Sequence, residues 1–298
     1  VATLQQMALR IRHLLEGYSQ QQQQYTYLTS SILSTDLTLS VADVSQISRG
    51  EIEINGQEIA YINTVNRTAN TAQVLPGGRG WAGSTAAAAP QNAMIENNPI
   101  FPYVRVVEAI NDTIDRVYPD LFVISTTKIN KLSVVYNYAL PADCDEVISV
   151  RYQIIGPSQV YPWMRRWRFD GQASTTTFPT GKSIELLEDV TPGREMVVTY
   201  MKRPSELVNP TDDFVTVTGL PASSAEAIIY GACELLAPAF EGPRLLLNAA
   251  EVSERAQAVP PGSAAKISQY FHELFEARLQ EERRKLYDLY ERPTHFSS

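Results

Sequence analysis

"GEIEINGQEIAY", residues 50–61, decides how the first half of this 298-residue chain is read. Asn55-Gly56 lies between two runs of alternating apolar residues, and Asn-Gly supplies the positive φ values of a type I′ turn. A two-residue turn pairs Ile54 with Gln57 and Ile52 with Ile59. Opposed residues of an antiparallel pair share a side, so Ile52, Ile54, Ile59 and Tyr61 would line one face. The stretch predicts a hairpin, and with it an antiparallel β module rather than a βαβ unit.

Outward from the hairpin the chain alternates between strand and helix patterns. Leu37, Leu39 and Val41 alternate just upstream. Leu4, Met7, Ala8, Ile11, Leu14 and Leu15 form the stripe of a first helix that ends near Gly17. A second helix follows Asn98-Pro99, carries Tyr103, Val107, Ile110, Ile114 and Val117, and stops at Pro119. Ser223-Ser224-Ala225-Glu226 is a capping-box pattern that opens a third helix through Ile228, Ile229, Ala232, Leu235 and Leu236. The fourth and longest follows Pro260-Pro261-Gly262-Ser263 and runs to about Glu291. Between the second and third helices lies another β block. Val134, Tyr136, Tyr138 and Leu140 alternate there, as do Trp163, Arg165, Trp167 and Phe169, and then Met196, Val198 and Tyr200.

The expected fold is α+β, a helical bundle core with two inserted antiparallel β modules and a long C-terminal helix. The expected segments begin with an N-terminal bundle helix (1–22), a β module with hairpin and Gly loop (25–96) and a bundle segment (97–131). An antiparallel sheet or sandwich (132–218), a second bundle segment (219–262) and a C-terminal helix with tail (263–298) follow.

Residues 76–90, "PGGRGWAGSTAAAAP", contain a literal G-x-G-x-x-G at Gly78, Gly80 and Gly83. A dinucleotide fingerprint needs a helix opening on the last glycine and an acid roughly 20 residues on. Pro90 halts the segment after Gly83 within two turns, and no acid stands near residues 98–103. The glycines are expected to supply turn conformations, with Trp81 anchoring the loop on the β module. His13, His272 and His295 show no metal-ligand spacing, and Asp143-Cys144-Asp145-Glu146 lacks the rest of a calcium loop. No catalytic residue, cofactor or metal site is expected. Cys144 and Cys233, far apart, read as two free thiols.

Formal net charge is −8, with 33 acidic against 25 basic residues, which argues against wrapping nucleic-acid phosphates as the main task. No apolar run approaches the roughly 18 residues that span a bilayer, so no membrane is expected as a partner. The N-terminus shows no basic start followed by an apolar block, so no secretory signal is expected. Trp163 to Phe169 is a basic–aromatic cluster; on a strand, Arg166 and Arg168 would face away from Arg165 and Trp167. The last helix mixes both charge signs, with Glu281 and Lys285 at helical i,i+4 spacing. Its apolar stripe and terminal aromatic residues suit docking into a groove.

The hairpin, followed by Arg79-Gly80-Trp81-Ala82-Gly83-Ser84-Thr85-Ala86-Ala87-Ala88, resembles the pattern of head-to-tail connector (adaptor) proteins of tailed bacteriophages. Val106-Val107-Glu108-Ala109-Ile110-Asn111 to Tyr118-Pro119-Asp120-Leu121-Phe122 is similar in the same way, as is Val259-Pro260-Pro261-Gly262-Ser263 leading into the charged helix. Pro90 lies near the place where that pattern often has a His. The resemblance implies a non-enzymatic virion protein of the neck, made in the bacterial cytoplasm and assembled as a homo-oligomeric ring of twelve. Its implied partners are the portal protein and a tail-side neck, stopper or tail protein, fibres included, with genomic DNA passing through the channel unread.

The implied portal-docking residues are Leu279, Arg283, Arg284, Leu286, Tyr287, Leu289, Tyr290, Arg292 and Phe296. Arg165, Arg166, Trp167 and Arg168 are the implied subunit contacts. Rival readings are a tail-hub, baseplate or fibre-attachment protein, a nucleotide-dependent enzyme using the Gly loop, and a nucleic-acid binding module.

Overall fold

In the computed structural model, which describes residues 2–17, 24–154, 160–240 and 263–289, the hairpin forms one residue out of the expected register. Asn55 and Gly56 do take positive φ, and Gln57 N donates to Ile54 O at 3.2 Å. Strands β3 (Gly50–Ile54) and β4 (Glu58–Asn66) nevertheless pair Ile54 with Glu58, Glu53 with Ile59 and Ile52 with Ala60. A slip of one residue moves a whole strand to the other face. Here it sends Ala60 and Ile62 to join Ile52 and Ile54 in the core, while Ile59 is buried on the reverse face opposite Glu53. The sheet is covered on both sides at this point, so apolar alternation alone could not fix the register.

The hairpin is the centre of a six-stranded antiparallel sheet. β1 (Gln24–Tyr27), β2 (Thr38–Ser40), β5 (Thr71–Val74) and β6 (Met94–Asn97) complete it in the order β1-β6-β3-β4-β5-β2. One face packs on Leu28, Leu39, Val41, Ala72, Val74 and Ile95. This sheet belongs to the first of two compact units, residues 1–113, 207–214 and 225–277.

Helix α1 (Leu4–Glu16) is opened by a complete capping box between Thr3 and Gln6, which satisfies amide donors otherwise orphaned at a helix start. It lies against α4 (Ala225–Leu236). Against α4 also rests the first part of α5 (Ser263–Leu289), through the stacked rings of Tyr230 and Phe271. Helix α2 (Tyr103–Arg116) buries Val106, Ala109, Ile110 and Ile114.

The second unit, residues 114–206, 215–224 and 278–298, holds two three-stranded sheets. β7 (Val123–Asn130), β12 (Glu195–Lys202) and β9 (Glu146–Tyr152) run in the order β7-β12-β9. β10 (Trp167–Asp170), β11 (Ser183–Leu186) and β8 (Asn137–Ala139) run in the order β10-β11-β8. Both sheets close on one core of Tyr138, Leu140, Val150, Ile184, Met196 and Val198. Helix α3 (Phe214–Thr218) is a short turn between elements.

The expected helical bundle core is overturned. Among the described residues the chain builds twelve strands in three antiparallel sheets and five α-helices. The helical stripes are real but narrow, and α1 gives part of its inner face to Arg12, which bonds a strand residue instead of another helix. Apolar mass sits mainly in the strands, so the sheets carry the cores.

Candidate functional site

The Gly loop is held by an ion pair. Arg79 Nε and Nη2 donate to the two oxygens of Glu58 at 2.6 and 2.8 Å, a bidentate fork of the strong type. Its remaining donors reach Leu33 O, Asp36 O and Ala87 O at 2.7–2.8 Å. Glu58 is 1% exposed and also accepts the backbone N–H groups of Gly80 (3.1 Å) and Ala87 (3.0 Å). The glycine loop does cradle an anion, and that anion is a carboxylate of its own chain. The amides of Gly80 and Ala87 are used by that carboxylate, and those of Gly78 and Ser84 donate to Leu75 O and Trp81 O.

The remaining parts of the loop follow from its glycines. Gly80 has φ 63°, and a Cβ there would meet Ala86 N at 3.0 Å and Ser84 O at 3.1 Å. Trp81 packs on Tyr61 with ring centroids 5.3 Å apart, and its Nε1 donates to Glu51 at 3.1 Å, so it anchors the loop on β4. Ser84 Oγ accepts from Ile59 N at 3.0 Å. A Gly80→Ala protein is expected to lose about 1–3 kcal/mol through left-handed strain and this crowding. Urea midpoints would read it, and an unchanged midpoint would refute the clamp.

A second buried cluster was not foreseen. Glu53 on β3 and Glu96 on β6 are antiparallel partners, 1% and 5% exposed. Arg12 of α1 donates to both oxygens of Glu53 at 2.6 Å and stands 3.8 Å from Glu96. Tyr103 N at the start of α2 donates to Glu53 at 2.8 Å. One guanidinium thus serves two carboxylates. Burial pushes the Glu96 carboxyl up to about 7, with Arg12 opposing and Glu53 and Glu16 adding to the rise. The cluster pins α1 and α2 to the sheet. Its sequence signal was Arg12 on the apolar stripe of α1, between Ile11 and Leu15.

The other candidates are accounted for by local pairing. Asp143 and Asp145 face Lys202 and Lys182 at 3.4 and 3.1 Å, and Tyr118 OH donates to Asp145 at 2.9 Å. Burial pushes the thiols of Cys144 and Cys233 up to about 12, which leaves them inert. His272 pairs with Glu234 at 3.3 Å, His13 is exposed, and His295 lies outside the described residues. Among the described residues no group of three or more His, Cys, Asp or Glu could hold a metal ion.

Of the basic–aromatic cluster only Trp167–Asp170 is strand. Trp167 and Phe169 pack on the unit's core, Arg168 lies opposite Glu185, and Arg165 and Arg166 are exposed. Met164 is buried in the same core, and its N donates to Val150 O at 2.8 Å ahead of the strand.

The end of α5 divides into an anchored and a free side. Leu279 and Glu282 are buried, and Glu282 accepts from Ser223 Oγ and from Lys285 Nζ. Arg283 pairs with Asp120 at 3.2 Å, and Tyr287 meets Phe122 edge to face. Leu286 is half-buried, whereas Arg284 and Leu289 are exposed. Tyr290, Arg292 and Phe296 lie outside the described residues.

Compared with known proteins, the chain matches no curated protein. The family model of the SU10 adaptor protein matches residues 81–289, well over half of the chain.

Proposed function

The chain belongs to the SU10 adaptor protein family, and we propose that this phage adaptor, a virion component, is the connector between portal and tail. In this reading copies of the chain form a closed ring of twelve in the neck, whose channel passes the genome. The family match over residues 81–289 carries the proposal. The net charge of −8 supports it, because a channel of the same sign as DNA does not hold the duplex as it slides. The C-terminal part of α5 and the residues after it are the proposed portal-docking arm.

The division of α5 sharpens the test of that arm. Deleting residues 277–298 removes Leu279, Glu282 and Tyr287 from their own unit as well as any docking surface. The pair Arg284→Glu and Leu289→Asp changes only exposed positions and should leave folding intact. Portal binding is expected to weaken at least roughly tenfold in the pair. Binding that survives both the pair and the deletion removes the arm from the docking role. Failure of the wild-type chain to form any complex with portal overturns the connector reading itself.

A further inference from the structure

Three segments of the second unit meet where β7 ends and β12 begins. Lys131 N donates to Arg194 O, Gln153 N donates to Glu195 O, and Trp163 bridges Arg151 on β9. Leu186 N donates to Tyr136 O and Leu187 N to Arg166 O, which adds the end of β11 to the same neighbourhood. Leu132, Val134, Tyr136, Trp163 and Leu187 are all exposed there, Val134 at 84%. Single exposed apolar residues are ordinary, but several of them on segments joined in this way suit an interaction surface.

The tip is stiff. Lys131 is buried, and its ammonium donates to Leu132 O and Val135 O at 2.9 and 2.7 Å. Tyr138 OH donates to Val135 O and accepts from Leu132 N. Backbone held this way loses little freedom on binding. The flank is basic: Arg151 lies 4.2 Å from the Trp163 ring centre, and Arg165 and Arg166 are exposed.

The first unit carries the complementary feature. A cleft of about 400 Å³ runs beside α2, walled by Thr85, Val104, Val107, Val208 and Tyr103. The Tyr103 hydroxyl is buried without a hydrogen-bond partner. On the solvent side of α2, Glu108 and Asp112 are exposed one turn apart, with Arg105 standing 3.8 Å from Glu108.

We infer that the Leu132–Val134 tip of one copy seats in the α2 cleft of the next copy. The inference rests on the ring reading above. Closed rings of more than two copies need a contact between two different surfaces of one chain. This chain has an apolar tip with a basic flank and an apolar cleft with an acidic flank. Two basic flanks facing each other would repel.

The test places one cysteine on each surface, Val134→Cys with Val208→Cys, in the full chain with portal present. The native cysteines are both buried and do not compete. Mild oxidation should give a ladder of covalent oligomers up to the ring from the double variant, and nothing beyond dimers from either single one. Leu132→Asp with Val134→Asp should weaken ring assembly by roughly tenfold or more while the monomer's thermal unfolding is unchanged. Rings of normal mass without a ladder, or rings formed normally by the aspartate pair, overturn the inference and leave the ring reading standing. Rings of the aspartate pair that fail only to bind a tail protein assign the tip to that partner and also overturn it. Absence of any wild-type ring defeats both.

Discussion

Replacing Arg79 by alanine will lower the stability of the first unit by about 3–5 kcal/mol, among the largest single losses this chain can show. The reason is the carboxylate left behind. Glu58 is 1% exposed, and without the guanidinium its charge would be shared by two amide donors alone. Three carbonyl groups, of Leu33, Asp36 and Ala87, would lose their donors in the same step. Arg79→Lys should recover only part of the loss, because a point charge cannot make the bidentate fork and reach the three carbonyls as well. Denaturant midpoints with slopes would measure it. A change under about 1 kcal/mol would show that the pair is a surface-like contact of little worth.

The second large effect depends on pH. Arg12→Ala leaves Glu53 and Glu96 facing each other in a buried site, and should cost about 3–5 kcal/mol at pH 8. The cost should shrink at pH 5, where protonation removes the repulsion. The wild-type protein should show the same sign. Burial raises Glu96 from 4.5 to about 7, so the folded chain holds a proton that the unfolded chain has released. Stability therefore falls as pH rises from about 4.5 to 7, by roughly 2–4 kcal/mol, and this term is flat above. Ordinary paired carboxylates behave in the opposite way. Glu96→Gln should remove that slope and be at least as stable as wild type at pH 8. A wild-type profile whose slope over this window is unaltered in Glu96→Gln would refute the assignment.

Much of the local structure was legible before the fold. The Leu4 to Leu15 stripe of α1, the Pro119 stop and the Asn55-Gly56 turn are each decided by neighbours within four residues, and local chemistry is what a sequence displays. The hairpin register was not legible, since β4 is buried on both faces and Ile59 and Ala60 compete for the core. The balance of helix and sheet failed for a related reason. An apolar stripe says that a helix has a buried side and is silent on whether a helix or a sheet covers it. Arg12 and Arg79 read as ordinary charges until partners 41 and 21 residues away came to meet them. The alternation at Val134 and Tyr136 suggested a buried strand, whereas these residues form a stapled, exposed tip. At the C-terminus, composition could not tell the anchored side of the last helix from its exposed one.

The Gly loop carries its own counter-ion in Glu58. A loop that waits for a nucleotide is ordered only where nucleotide is supplied, and its order fades by mass action when the supply ends. A loop whose anion is built into the chain has no such dependence. A virion leaves the cell and its metabolites behind, and this segment would keep its shape through that dilution without a tenant.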